Sequence, residues 1–222
     1  MIKRKHFLTA GLTLLFLASG VLQAAEGWTR YPSKVSTNWS VRIEGTSSVH
    51  PWLVEGKIIG GFIETGPNFP TDPAKAQPGK VDAKVEVFIP ARSLKSMEGG
   101  KPYSNAMDDI MYKHLQEATH KQIRYKLTEL TLKEAPKSPD GAFQFESKGD
   151  LFVAGVTNAI TMPVQMKVDG NKLTFSGTVS VKMSDFKIET PAPNIPGVST
   201  LIKTGDEVKL TVEWNAGPPK KP

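Results

Sequence analysis

The chain has no cysteine among its 222 residues and only four histidines. The absence of cysteine excludes disulfides, a lipid-modified N-terminal cysteine and any metal site with thiolate ligands. Beyond residue 6 the histidines are His50, His114 and His120, and none of them forms a His-x-His or His-Glu-x-x-His pattern. A Gly-x-Ser-x-Gly elbow and a phosphate-binding glycine loop are missing too. We therefore expect no metal site, no cofactor and no catalytic residues.

Long apolar runs are also scarce, and the one that exists lies at the N-terminus. A basic segment, residues 2–6, precedes an apolar run over residues 7–22, and Gln23-Ala24-Ala25 offers a small-residue cleavage point. This order is typical of a secretory signal peptide over residues 1–25, with an uncleaved anchor as the alternative. No other stretch approaches the ~18 consecutive apolar residues of a membrane span. We expect a periplasmic or secreted protein with no membrane span after cleavage.

Basic residues outnumber acidic ones only slightly outside the predicted leader. Lys3, Arg4 and Lys5 lie in the leader, so the remaining 197 residues carry 25 basic and 22 acidic residues, a formal charge of +3. No basic block is interleaved with aromatic residues, so nucleic acid is not an expected partner. The length suits one domain with its own core. We predict that domain over residues 26–216 and a disordered tail over 217–222, and leave a homodimer open.

Apolar and polar residues alternate with a period of two over most of the chain. After an irregular segment, 26–38, strands are predicted at 39–44, at 50–64 with glycine interruptions, and at 80–90. Five more follow residue 120, and a slip in the first of them between Leu127 and Leu130 indicates a bulge. Eight antiparallel strands with mostly short connections predict an all-β, up-and-down barrel. Such a barrel has room inside for side chains or one small ligand.

Residues 104–118 differ, because their apolar residues recur with the period of a helix. They fall on one stripe, formed by Met107, Ile110, Met111, Leu115 and Ala118, of which the first four are predicted to face inward. Ser104 is predicted to cap the helix, and Asp108 and Asp109 lie near the positive end of its dipole. An isolated helix of this length is marginal in water. We therefore expect one amphipathic helix that packs its stripe on the barrel.

The large apolar side chains of the predicted barrel are compatible with more than one function. Methionines near the helix and the late strands suit either core packing or a pocket for a flexible apolar chain. A barrel filled by its aromatic residues would instead be an interaction module that uses Pro-rich loops 65–79 and 185–205. Those aromatic residues are Trp39, Trp52, Phe143, Phe175 and Trp214. A further alternative is an enzyme that uses His114 or Tyr112 on a bound apolar substrate.

Several short motifs follow one another in a characteristic order. Residues 45–52 read Gly-Thr-Ser-Ser-Val-His-Pro-Trp, residues 90–96 read Pro-Ala-Arg-Ser-Leu-Lys-Ser, and a Met-Asp-x-x-Met-Tyr helix begins at Met107. Residues 122–125 read Gln-Ile-Arg-Tyr, residues 149–157 read Gly-Asp-Leu-Phe-Val-Ala-Gly-Val-Thr, and 184–186 and 204–208 complete the order. Together they resemble the YceI-like family of polyisoprenoid-binding, lipocalin-like secreted proteins. Pro51 departs from the family pattern, which usually has an acid there.

The resemblance implies an eight-stranded antiparallel lipocalin-like barrel, a helix beside it and a long apolar tunnel. It implies a binding protein, not an enzyme, that holds an isoprenoid-type lipid such as a polyprenyl chain or a quinone. The candidates for lining the tunnel are apolar residues of the predicted strands and helix. They are Trp52, Val54, Ile58, Phe62, Val85, Val87, Met107, Ile110, Met111, Leu115, Phe145, Met162, Met166 and Phe175.

Overall fold

The computed structural model describes residues 27–36, 38, 40–138, 141–191 and 203–218. The predicted leader, Trp39, part of the second Pro-rich loop and the end of the tail lie outside these residues. The described part has one α-helix, α1 (Asn105–His114), and two short 3-10 helices, Ala91–Ser93 and Ser184–Phe186. Its strands are β1 (Thr29–Lys34), β2 (Val41–Ser47), β3 (Trp52–Gly56), β4 (Gly60–Thr65), β5 (Gly79–Lys80), β6 (Ala83–Pro90), β7 (Leu94–Glu98), β8 (Lys101–Pro102), β9 (Gln122–Glu134), β10 (Phe143–Val153), β11 (Val156–Asp169), β12 (Lys172–Lys182) and β13 (Thr204–Ala216).

These strands form a closed, antiparallel barrel of eight long strands. Three of the long strands are interrupted and consist of two halves each: β1 with β2, β3 with β4, and β6 with β7. The halves share neighbours, since β13 pairs with both β1 and β2, while β4 pairs with β6 and β3 pairs with β7. The pairing of Ser33 with Ala216 closes the ring. The predicted all-β barrel, with three long strands before the helix and five after it, is confirmed.

The interruptions of the first two long strands lie side by side. Ser40, just before β2, donates its backbone N–H to Gly56 O at 2.7 Å and its hydroxyl to Lys57 O at 3.2 Å. Gly61 follows the second interruption with φ of 117°, and a Cβ there would lie 2.1 Å from Glu86 O. Only glycine fits this backbone, because positive φ and close approach both disfavour a side chain. The sheet therefore bends here and its alternation restarts.

The restart overturns two of the predicted inward residues. Ile59 and Ile63 are buried in the core, so the odd-numbered residues face inward beyond the interruption. Ile58 is 51% exposed, and Phe62 lies on the outer face with the Arg30 guanidinium carbon 3.4 Å from its ring centroid. The prediction that Ile58 and Phe62 face the interior is wrong, because a residue inserted at a bend moves the following side chains to the opposite face.

The structure also corrects the irregular start predicted for the chain. Residues 29–34 form β1, which pairs with β4 along four residues and with β13 at its end. The segment has no alternation and contains Pro32, so its order comes from backbone pairing with two neighbours.

The bulge predicted in β9 is confirmed, since Glu129 pairs with Lys148 while Leu127 pairs with Gly149. Thr128 is the extra residue between them.

One end of the barrel is filled by aromatic side chains and a methionine. Pairing places Phe143 opposite Met166, Met166 opposite Phe175, and Phe175 opposite Trp214 on four adjacent strands. The Phe175 and Trp214 rings stack at 5.2 Å between centroids, and the Trp214 indole N–H donates to Ser33 Oγ at 2.8 Å. The set called the aromatic row below consists of Phe143, Met166, Phe175 and Trp214. Each of its members is at most 7% exposed. The row fills that end of the interior with buried side chains.

Helix α1 lies along the edge of β7 that does not pair with β3. Asp108 accepts hydrogen bonds from the backbone N–H of Ser96 at 2.7 Å, from its hydroxyl at 2.8 Å and from Lys95 Nζ at 2.9 Å. One turn later, the Tyr112 hydroxyl donates to Leu94 O at 2.8 Å. The two side chains thus bond backbone groups at the start of β7, which precede the residues paired with β8 and would otherwise lack partners. In the part of the chain that the structure describes, no helix is both long and apolar enough to cross a membrane.

The helix therefore buries a different face from the predicted one. Asp108 and Tyr112 are its buried residues, whereas Met107 is 40% exposed, so its inward prediction is wrong. Ile110 is half-buried, and only Met111 and Leu115 of the stripe pack against the core. The Ser104 side chain makes no capping hydrogen bond. The apolar period identified the helix. Its orientation follows instead from the hydrogen bonds that Asp108 and Tyr112 form with backbone groups of β7.

Tyr112→Phe is expected to lower the free energy of unfolding by about 1 kcal/mol, because it removes the hydrogen bond to Leu94 O and keeps the buried ring. Urea melts of the parent and the variant measure the difference. Tyr103→Phe is the matched control, since Tyr103 is 55% exposed and its change should cost less than about 0.5 kcal/mol. Equal midpoints for Tyr112→Phe and the parent would contradict the role assigned to this hydroxyl.

Candidate functional site

The barrel interior contains an apolar cavity of ≈ 110 Å³ next to the aromatic row. Phe175 and Trp214 of that row form part of its wall, and most of the remaining wall comes from inward-facing branched residues. The lining residues are Ile59, Val85, Val87, Phe88, Ile89, Ile123, Arg124, Tyr125, Leu130, Ser147, Leu151, Ile160, Met162, Val164, Phe175, Ser176, Leu210, Val212 and Trp214. A cavity of about 150 Å³ with such a lining can bind benzene, so this one offers room for a group of nearly that size.

Two inward-facing glycines seat larger side chains against the cavity wall. A Cβ on Gly149 would lie 2.5 Å from the Tyr125 hydroxyl oxygen, and one on Gly177 would lie 3.0 Å from Met162 Sδ. Tyr125 and Met162 therefore occupy the space that side chains at these positions would need. Met162 is the more adaptable of the two because its unbranched thioether has several low-energy shapes. The cavity wall thus combines an aromatic ring with a more adaptable thioether side chain.

One polar contact lies within this apolar lining. The Tyr125 hydroxyl of β9 is 2.6 Å from Ser147 Oγ of the neighbouring strand β10, and either oxygen can be the donor. Ser147 is only 4% exposed. Burial raises the pKa of Tyr125, and the hydrogen bond with Ser147 offsets part of that rise. The phenol is therefore neutral near pH 7 and can donate a hydrogen bond.

The structure brings together only part of the predicted tunnel. Val85, Val87, Met162 and Phe175 line the cavity. Val54, Phe145 and Met166 are buried in the core outside it, and Trp52, Met111 and Leu115 pack against that core from less buried positions. Ile110 is half-buried, and Ile58, Phe62 and Met107 lie away from the interior as described above. Binding by any of these residues remains a prediction.

Sequence reasoning did not single out Tyr125 and Ser147. Ser147 occupies an inward position of β10 between Phe145 and Leu151, both buried. A hydroxyl at an inward position of an otherwise apolar alternation is the signal that could have marked it. Tyr125 alternates with Ile123 and so has the inward parity of β9. That the two hydroxyls meet depends on the register of β9 against β10, which follows from the bulge.

The residues considered for catalysis, His114 and Tyr112, and the other histidines considered as metal ligands do not line this cavity. The Tyr112 hydroxyl bonds the backbone of β7, and His114 is half-buried at the end of α1. His50 is exposed, and the ring of His120 meets the edge of Phe152 at 5.6 Å between centroids. Across residues 27–138, 141–191 and 203–218, where described, no three His, Asp or Glu side chains form a group that could hold a metal ion.

Comparison with known proteins places this barrel in a family. The sequence matches the YceI-like domain over residues 32–216, which includes nearly all of the barrel. The chain belongs to the YceI-like family. No curated protein matches it in a sequence search.

Solved structures with low sequence identity share the fold. BcnA from Burkholderia cenocepacia is 19% identical, with a TM-score of 0.57 over 82% of this chain and 99% of that one. A polyisoprenoid-binding domain from Saccharophagus degradans, implicated in plant cell wall breakdown, is 11% identical, with a TM-score of 0.61 over 85% and 98% of the two chains. The YceI protein of Campylobacter jejuni is 18% identical, with a TM-score of 0.51 over 75% and 85%. At these identities the likeness concerns the fold alone.

Proposed function

We propose that this protein binds one isoprenoid-type lipid inside its barrel and carries it without chemical change. The apolar cavity beside the aromatic row is the observation that carries the proposal. Membership of the YceI-like family and the fold shared with a polyisoprenoid-binding domain support it. Burial of apolar surface contributes roughly 25 cal/mol per Å² before the costs of association. A long hydrocarbon chain can therefore bind tightly without any charged contact.

The cavity is smaller than an isoprenoid of several units, so binding requires the cavity to expand. At ≈ 110 Å³ it is close to the volume that accepts a single benzene ring, and an isoprenoid of several units is larger. Binding must therefore move side chains of the wall, and Met162 is the most adaptable of them. The cost of that movement favours the branched, flexible chain of an isoprenoid over a rigid polycyclic ligand.

The filled barrel of an interaction module is the second candidate function. The aromatic row supports it in part, since Phe143, Phe175 and Trp214 do fill one end of the interior. The cavity beside them favours the lipid carrier.

Native mass spectrometry of protein purified from its own host decides between the two functions. A bound mass in the isoprenoid range, or uptake of added polyprenols or quinones, is expected. A ligand-free spectrum with no uptake, together with a stoichiometric protein partner, would overturn the carrier function.

We further propose that the carrier acts in the periplasm or outside the cell. The basic and apolar order of residues 1–25 supports export and cleavage of the leader. Mass analysis of the exported protein is expected to show a chain that begins near Glu26. A full-length chain retained in the cytoplasm would overturn this location.

A further inference from the structure

The cavity contains one feature that an apolar tunnel does not need, which is the Tyr125–Ser147 hydroxyl pair. The two oxygens are 2.6 Å apart, and both residues line the cavity. Burial of a hydroxyl without a partner costs roughly 1–3 kcal/mol. Apolar residues at both positions would avoid any such cost, so the pair calls for a physical explanation beyond packing.

The pair is only partly satisfied by itself. Two hydroxyl groups carry two protons, and the bond between them uses one. No other described residue forms a hydrogen bond with the Tyr125 or Ser147 side chain. The second proton therefore has no protein acceptor in the described part of the chain. An acceptor on a bound ligand would complete the network, and in a medium of low polarity such a bond is stronger than in water.

The ring that carries the hydroxyl has room here because residue 149 is a glycine. It lies against Gly149, where a Cβ would come within 2.5 Å of both the Tyr125 Cζ and the hydroxyl oxygen. Ser147 and Gly149 are successive inward residues of β10, and together they accommodate the tyrosine edge. Ser147 lies four residues along β10 from Phe143 of the aromatic row, which is about 13 Å at the rise of a strand. The pair thus lies near the middle of β10, away from the aromatic row.

The charges around the cavity decide which acceptor fits. Arg124 is the one cationic residue among the described lining residues, and its guanidinium carbon lies 4.2 Å from the ring centroid of Phe152. Phe152 and its β9 partner Arg124 have the outward parity of their strands. A phosphate or diphosphate at the hydroxyl pair would therefore be a buried charge without a counter-charge, which is strongly unfavourable. A neutral oxygen has no such penalty.

We infer that the Tyr125–Ser147 pair is a hydrogen-bond site for one neutral carbonyl oxygen of the bound isoprenoid, as on a quinone ring. This inference rests on the proposed lipid-carrier function and specifies which end of the ligand is held inside the barrel. The polar ring of the ligand occupies the cavity, and the apolar walls on both sides of the pair contact its ring and chain.

The test uses two probes that carry the same tail and differ in the ring and its carbonyl oxygens. One is a benzoquinone with a tail of two isoprene units, and the other is a benzene ring with the same tail. Calorimetric titration of the parent, Tyr125→Phe and Ser147→Ala is compared with Tyr112→Phe, which removes a buried hydroxyl outside the cavity. Tyr125→Phe is expected to weaken quinone binding about tenfold and to change binding of the benzene probe less than twofold. Tyr112→Phe should leave both affinities unchanged.

An infrared spectrum of the bound quinone adds a readout that a purely structural role would not move. The carbonyl stretch should shift to lower frequency in the parent complex and return toward its free value in Tyr125→Phe. Equal loss of affinity for both probes, or an unshifted carbonyl in the parent, would overturn this inference and leave the carrier function standing. A parent protein that binds neither probe would overturn the carrier function itself, and this inference with it.

Discussion

Ile160→Trp is expected to reduce lipid uptake at least tenfold, which corresponds to about 1.4 kcal/mol or more of binding free energy. Ile160 lies opposite Gly149 on the neighbouring strand and lines the cavity. An indole there would occupy much of the ≈ 110 Å³ that the ligand needs. Because the added rings enter an existing space, the free energy of unfolding should fall by less than the roughly 1–3 kcal/mol typical of overpacking.

The control for this variant is one residue away. Thr161 pairs with Lys148 on the outer face and is exposed, so Thr161→Trp adds the same indole outside the barrel. We expect uptake equal to that of the parent, measured with the same lipid under the same conditions. If the two tryptophan variants bind lipid equally well, the ligand does not occupy this cavity.

Asp108→Ala is expected to lower the free energy of unfolding by about 3 kcal/mol, since it removes three hydrogen bonds to a charged group and leaves a backbone N–H of β7 without its partner. For a domain of this size that corresponds to a fall of roughly 6–12 °C in melting temperature. Asp109→Ala is the matched control, because Asp109 is the next residue on α1 and is exposed. Its change should stay within about 0.5 kcal/mol. Equal melting temperatures for the two variants would mean that α1 does not complete the β7 edge through Asp108.

Acid should remove this contribution of Asp108. Burial opposes ionisation of the carboxyl, but the hydrogen bonds from the Ser96 backbone, from Lys95 and from the Ser96 hydroxyl outweigh it and hold the pKa below its usual 3.8. A carboxyl with a lowered pKa in the folded state stabilises the fold above its ordinary pKa, and the effect disappears as pH falls through the lowered value. The stability gap between parent and Asp108→Ala should therefore be constant from about pH 7 to 5 and shrink below about pH 4. A gap that shrinks instead at neutral pH would contradict this assignment.

Much of the barrel could be predicted from local pattern. Within an uninterrupted strand the side chains alternate strictly, so β10, with Phe143, Phe145 and Leu151 buried, has the inward face that its sequence indicates. The turn between Val153 and Val156 places Ala154 and Gly155 at positive φ, as a two-residue hairpin requires. The slip from Leu127 to Leu130 also predicted the bulge. These features depend on neighbours in sequence, which is why the sequence contains them.

The predictions that were wrong concern features that depend on neighbours in space. Alternation does not carry across a bend, so nothing local distinguished Ile58 from Ile59 or Phe62 from Ile63 before the position of the interruption was known. Residues 29–34 have no strand pattern and become β1 because β4 and β13 offer backbone partners on both sides. The face of α1 was set in the same way by the β7 edge, whose N–H and C=O groups bind Asp108 and Tyr112.

The sequence by itself therefore determined the class of fold, the number of long strands, the presence of one helix and an apolar interior. Only the tertiary structure decided which side chains share that interior and where the cavity remains. Tyr125 and Ser147 are separated by 22 residues and meet because the bulge in β9 sets its register against β10. The volume of a cavity is a small difference between the space that the backbone encloses and the space that the side chains fill. Such a difference depends on every long-range contact at once, and no stretch of sequence contains it.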